Sequence, residues 1–270
     1  MSVENYEHVM ESLDLGFDSP DDRSKPLSER EPITSELERL LKRFICHIRP
    51  ELFVEIGAYE ASFSVEMKDK FPDVPVIAIE ANPRVYEKFS RKLYGTGVDY
   101  LNLAIDKEGG FKSFYIPEKI AGNDMPFAGR MGSLREVGLR DSQTTQVTVI
   151  SETLDSLLKD RVESNMCLWI DVEGAAERVI SSAQKTLERT SIVYVELESS
   201  PVWKDQALDD EVSLFLKSSG FIPVARDCQK WFQKNVLFVS RSLELDAFII
   251  DQSLKFRDWA INEFRKKSGD

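Results

Sequence analysis

Six carboxylates stand where apolar runs end: Glu55 in FVEI, Glu80 in VIAIE, Asp171 and Glu173 just after CLWI, and Glu196 and Glu198 in VYVELE. Short apolar runs bounded by turn residues read as buried strands. Open α/β sheets bind their ligands beyond the carboxyl ends of the strands. These acids are therefore placed to meet a ligand. Glu80 follows Gly57 by 23 residues, and between them lie a turn and a helix. A strand, a glycine turn, a helix and an acidic strand end make the nucleotide-binding half of a doubly wound fold. Gly57 has no Cβ, so its backbone can turn tightly and approach a ligand. A carboxylate in the position of Glu80 can accept two hydrogen bonds from a ribose diol.

The turn itself decides which nucleoside fits. A dinucleotide site needs G-x-G-x-x-G, so that pyrophosphate lies on bare backbone at a helix N-terminus. Here the run is Gly57, Ala58, Tyr59, Glu60, Ala61, Ser62, with one glycine and a negative charge where the pyrophosphate would sit. Glu55, just before the turn, suits a ligand carrying an ammonium group, such as the methionine end of S-adenosylmethionine. Methyl transfer from such a ligand would be an in-line displacement helped by positioning, and by a general base where the acceptor must lose a proton. The chain has two histidines. His8 lies in an acidic lead-in and His47 at the end of a core-facing helix, so the base is expected to be a carboxylate. Asp171 and Glu173, two residues apart in an extended segment, would point the same way. Glu196 and Glu198 form a second such pair, left open between function and ion-paired strand ends. Trp169 reads as core, and the glycine-serine run at 132–134 as loop. No acidic cluster has calcium-loop spacing, so no catalytic metal is expected.

The elements that must position these groups alternate along the chain. Strands are predicted at 51–56, 75–80, 98–104, 111–117, 144–150, 167–172, 191–198, 221–226 and 235–240. Helices are predicted at 60–70, 84–93, 208–218 and about 251–267, the last ending in basic residues that suit its dipole. Ser35 caps an earlier helix whose Leu37, Leu40, Leu41, Phe44, Ile45 and Ile48 recur at helical spacing. Residues 118–143 make a long loop with four glycines, of the kind used as a lid. Residues 1–33 carry nine acidic and three basic residues with three prolines. They read as a loosely ordered segment with a short helix at 4–13, ahead of a single domain over 34–270.

Composition bounds the partners. With 42% hydrophobic and 30% charged residues the chain is globular. A net charge of -12 counts against nonspecific binding to nucleic acid or anionic membranes. No apolar run is long enough to span a bilayer, and the N-terminus lacks the basic start and apolar stretch of a signal peptide. Cys46, Cys167 and Cys228 are odd in number and far apart. They suit buried thiols in a reducing cytoplasm, with no disulfide and no zinc site. The sequence leaves the oligomeric state open.

The run VTVISETLDSLL followed by CLWIDVEGAAERVISSA resembles the FkbM family of S-adenosylmethionine-dependent O-methyltransferases. The matching segments are Thr153-Leu154-Asp155 and Ile170-Asp171-Val172-Glu173-Gly174 with Glu177. Val54-Glu55-Ile56-Gly57-Ala58, Glu80 with Asn82 and Pro83, and Asn102-Leu103-Ala104 match as well. The family's second glycine is Ala61 here, and Glu60 stands before it. The resemblance covers roughly residues 50–200. It implies an α/β class I methyltransferase-like Rossmann fold, with a mostly parallel seven-stranded sheet, helices on both faces and a last strand inserted antiparallel. It implies S-adenosyl-L-methionine as cofactor, held by Glu55, Gly57, Ala58, Tyr59, Ser62, Glu80, Asn82, Ala104, Ile105 and Asp171. Glu173 would bind the acceptor or take its proton, with Asp171 beside it. The acceptor would be a hydroxyl of a small molecule or a glycan. Two other readings stay open. One is a methyltransferase-fold protein of little or no activity that acts by partner binding; the other is an NAD(P)-dependent oxidoreductase, which the missing glycines disfavour.

Overall fold

The computed structural model describes residues 3–17, 27–126, 129–230 and 232–266. In chain order the elements are α1 (Val3–Phe17), α2 (Leu27–Ile48), β1 (Leu52–Ile56), α3 (Ser62–Lys70), β2 (Val76–Glu80), α4 (Pro83–Leu93), β3 (Asp99–Asn102) and β4 (Ala104–Ile105). There follow β5 (Gly110–Ile120), β6 (Asn123–Asp124), β7 (Gln143–Glu152), α5 (Leu154–Leu157), β8 (Met166–Ile170), α6 (Ala176–Ser181) and α7 (Gln184–Leu187). The chain continues through β9 (Thr190–Glu198), α8 (Asp209–Ser218), β10 (Phe221–Arg226), β11 (Gln233–Ser240) and α9 (Ala247–Lys266).

Seven strands form the main sheet in the order β10-β11-β9-β8-β1-β2-β3. The strands from β9 to β3 in that order run parallel, and β11 runs antiparallel to both of its neighbours. Parallel strands covered on both faces need apolar residues throughout, and β1, β2 and nearly all of β8 and β9 are buried. One face packs Phe53, Ala78, Cys167, Tyr194 and Leu237 against α1, α2 and α9. The other packs Val54, Ile79, Leu168, Val193 and Phe238 against Val179 and Ile180 of α6 and Val212 and Leu216 of α8. Because side chains alternate along a strand, Glu55 and Glu80 lie on the first face, at its carboxyl edge.

Four expectations change. The segment 98–104 breaks at Leu103: β3 stays in the main sheet, while β4 joins a second sheet of order β4-β7-β5-β6. That sheet holds the two strands expected near 111–117 and 144–150, as a long antiparallel hairpin. The lead-in is not loose over residues 3–17, where α1 buries Tyr6, Val9, Leu13 and Phe17 in the same core as Ile249 and Phe256. Helix α2 begins at Leu27 and carries Pro32 inside it, ahead of Ser35; residues 18–26 lie outside the described ones. Finally, Cys46 is exposed, while Cys167 and Cys228 are buried, and all three are free thiols. Among the described residues no helix is long and apolar enough to cross a membrane.

The approach of β1 to β8 is tight. Gly57 has φ +85°, and a Cβ built there would lie 1.7 Å from the Asp171 carbonyl oxygen. Glycine is thus required first by the neighbouring strand end. Gly57→Ala adds both that overlap and left-handed strain. It is expected to destabilise the fold by more than about 3 kcal/mol, measured by urea unfolding.

Candidate active site

A cavity of about 560 Å³ opens at the carboxyl ends of β1, β2, β8 and β9, within the usual range of small-molecule sites, roughly 300–1,000 Å³. Residues 129–132 and Leu134 line it from the long loop. One side of the cavity is built around Glu80. Its two oxygens accept from the backbone N–H groups of Asn82 at 2.7 Å and Tyr59 at 2.8 Å. Each oxygen keeps a lone pair for a further donor, such as a ribose hydroxyl. Asn82 caps α4 by accepting from the Arg84 N–H at 3.0 Å. Its Nδ2 is buried without a partner, a donor that an acceptor atom of a ligand in this cavity can satisfy. Glu55 accepts from both the N–H and the hydroxyl of Ser64, at 3.0 and 2.5 Å. Burial raises Glu55 to about 7, against the Ser64 hydrogen bonds. Burial likewise raises Glu80 to about 7, against its two backbone donors.

The turn between β1 and α3 departs from glycine-rich geometry without closing the cavity. Tyr59 and Ala61 both adopt positive φ, 47° and 53°, which alanine tolerates at modest cost. The Glu60 side chain is half exposed, its carboxylate 4.0 Å from Arg130. Arg130 lies over the Tyr59 ring, 4.9 Å from its centroid, so the long loop touches the turn after β1.

The opposite corner gathers acids. Asp171 follows β8, its N–H donating to the Ile56 carbonyl at 2.9 Å. Glu173 does not continue the strand. It sits at φ 42°, its carbonyl accepting from the Ser133 hydroxyl at 2.6 Å. Gly174, at φ +71°, leaves room for Trp203, whose Cδ1 would lie 2.2 Å from an added Cβ, and its N–H donates to Glu198 at 2.9 Å. The two carboxylates converge through this turn, not through the extended geometry expected from their spacing. One oxygen each from Asp171, Glu173 and Glu196 lies within 4.8 Å of the others. Burial raises Glu173 to about 8, helped by the charges of Asp171 and Glu198. Burial and the neighbouring acids push Glu196 well above the carboxylate range, and burial raises Glu198 to about 7.

Every cofactor and catalytic candidate read from the sequence lines this one cavity: Glu55, Gly57, Ala58, Tyr59, Ser62, Glu80, Asn82, Ala104, Ile105, Asp171 and Glu173. Trp169, read as core, lines it too, packed between Phe63 and Tyr194. Arg130, Ser133, Gln229, Lys230 and Gln233 join the site without a mark in the sequence. They sit in loops or at a strand start, where no periodicity singles them out; only the glycine-serine run at 132–134 points toward Ser133. His47 pairs with Asp246 at 2.9 Å and stacks on Phe248, a structural role as expected. Other matched residues hold the scaffold. Asp155 accepts from the Lys185 and Thr186 N–H groups at the start of α7, and Asn102 donates to the Glu80 carbonyl.

The strand order, the antiparallel β11 and a cavity of this chemistry at the sheet's carboxyl edge define a class I methyltransferase, an enzyme that uses S-adenosylmethionine. The family model described as Methyltransferase FkbM domain matches residues 55–223, and the chain belongs to that family. No curated protein sequence matches it significantly. Among solved structures it is similar to precorrin-6y C5,15-methyltransferase from Geobacter metallireducens (TM-score 0.38, 13% identity, 70% of this chain and 78% of that one). It is similar to the fibrillarin pre-rRNA processing protein of Methanococcus jannaschii (TM-score 0.41, 11% identity, 72% and 67%). A third is a mutant of MtNAS in complex with S-adenosylmethionine (TM-score 0.39, 13% identity, 87% and 72%).

Glu55 binds its proton more tightly when folded, about 7 against 4.5. A raised carboxylate makes the folded state lose stability as pH climbs from 4.5 through 7. Without ligand, Glu55→Gln should therefore be more stable than the parent at pH 8, on the order of 2 kcal/mol, and gain nothing at pH 4.5. Thermal unfolding of both chains across this range checks the sign. A parent chain whose stability rises from pH 5 to pH 8, with no relief in the variant, contradicts it.

Proposed function

We propose that this methyltransferase methylates a hydroxyl group of a small or glycan-type acceptor. The observation that carries the reading is the acid corner, which sets Glu173 beside Asp171 at the edge of the cofactor cavity. When bound, S-adenosylmethionine supplies a methyl group on a sulfonium, activated for in-line displacement. Glu80 receives the ribose diol, and Asn82 Nδ2 donates to the adenosine. Ala104 and Ile105 pack on the adenine. Gly57, Ala58, Tyr59 and Ser62 shape the turn under the methionine end, and Glu55 supplies negative charge near its ammonium. Asp171 orients that end. Glu173 binds the acceptor hydroxyl and takes its proton, a role that suits a carboxylate raised toward neutral pH. Eight acids line the cavity, Glu38, Glu55, Glu60, Glu66, Glu80, Asp171, Glu173 and Glu196, and they disfavour a pyrophosphate, hence a nicotinamide dinucleotide. The same reading sets the chain in a reducing cytoplasm, with its cysteines as thiols.

Two variants test the division of labour. Glu80→Ala removes two hydrogen bonds to the ribose and should weaken S-adenosylmethionine binding on the order of tenfold or more. Unchanged affinity in a chain with an intact circular dichroism spectrum excludes Glu80 as the ribose ligand. Glu173→Gln should keep cofactor affinity and lose turnover by on the order of 100-fold, assayed on a hydroxylated acceptor found by screening. Full turnover in that variant hands proton removal to Glu196, Glu198 or water.

A further inference from the structure

The acid corner gathers more carboxyl groups than the methyl-transfer reading uses. Asp171, Glu173 and Glu196 each present an oxygen within 4.8 Å of the other two. A second observation lies on the neighbouring strand. Gln233 is 3% exposed, and its amide oxygen is buried without a hydrogen-bond partner. It stands opposite Glu198 in the β9–β11 ladder, as Asn235 stands opposite Glu196. Tyr194 and Leu237, in phase with these positions, pack on a single face of the sheet. Gln233 therefore shares the face of Glu196 and lines the same cavity. Glu196, 7% exposed, is hydrogen-bonded side chain to side chain with Asp171. The Gln233 oxygen is thus the unmet acceptor, and a buried acceptor without a donor is expensive. Lys230 and Arg130 are the cations that act on the corner.

We infer that Asp171, Glu173 and Glu196 form a divalent-cation site, with the Gln233 amide oxygen turned toward it. Oxygen donors alone, without nitrogen or sulfur, select a hard ion such as Mg²⁺, Mn²⁺ or Ca²⁺. No contiguous motif marks this site, because its ligands come from the ends of two strands. The ion's role rests on the methyl-transfer reading. A cation held here can take the acceptor oxygen as a further ligand, which weakens its O–H bond. With one Glu173 oxygen on the ion, its second oxygen would remain to receive the acceptor's proton as the oxygen–methyl bond forms and the methyl–sulfur bond of the sulfonium breaks, leaving the electron pair on a neutral thioether.

The test is a calorimetric titration of the chelator-treated full chain with Mn²⁺ alone, repeated with Mg²⁺ as competitor and followed by electron paramagnetic resonance. The expected result is one saturable Mn²⁺ site per chain, displaced by Mg²⁺ and weakened at least tenfold in Glu196→Gln. Should that variant fail to fold by circular dichroism, Glu173→Gln takes its place in the same titration. No saturable Mn²⁺ binding to the parent chain overturns the site, as does undiminished binding in the folded variant. A parallel titration with S-adenosylmethionine separates the two readings. Cofactor binding without Mn²⁺ binding sinks the ion site and leaves methyl transfer standing. Mn²⁺ binding without cofactor binding does the reverse.

Discussion

Like charges brought together away from water set the terms for this molecule. Four strand ends of one sheet face, β2, β1, β8 and β9, deliver Glu80, Glu55, Asp171 and Glu196 in spatial order to the same edge. Each is desolvated, and burial raises each above its ordinary value. The surrounding structure answers with oriented donors. Ser64 serves Glu55, the Tyr59 and Asn82 N–H groups serve Glu80, and Gly174 serves Glu198. What these donors do not offset is left to protonation or to a bound ligand.

The scaffold fixes this edge with groups remote from it. Asp106 takes Arg178 through two bonds of 2.6 and 3.0 Å, tying the second sheet to α6. Burial alone would raise Asp106, yet Arg178 and the Lys107 N–H hold it below the ordinary range. Glu177 sits 3.5 Å from Arg135 at the foot of the long loop. Bonds of this kind, half buried and geometrically specific, keep the hairpin and α6 in register, so the cavity between them keeps its shape.

Much of this is legible from residue order. Glu55, Gly57 and Glu80 stand out because a buried parallel strand must be apolar, so a charge at its end is conspicuous. The same holds for Asp171. A short helix at 4–13 is legible, but the burial of α1 escapes a local reading because its apolar positions are diluted by acids, and its packing depends on α9, far along the chain. The convergence of Glu173 on Asp171 follows from spacing only by coincidence. A separation of two reads as one strand face, whereas the chain turns left-handed there and folds the side chain back. Arg130, Ser133 and Gln233 stay hidden because their places depend on loop path and cross-strand register, which a single sequence does not encode locally. The Thr153-Leu154-Asp155 motif marks the family and yet builds a helix junction, so matching residues divide between chemistry and support.

The hydrogen bond from Ser133 to the Glu173 carbonyl ties together two parts of the fold that the chain keeps far apart. Ser133 is held to Tyr115 of β5 by a pair of backbone bonds, and its neighbours Gly129–Gly132 wall the cavity. The left-handed turn at Glu173 is steadied from the wall and not from its own strand. The shape of the acid corner therefore depends on the second sheet, through Ser133, as much as on the strands that carry its acids.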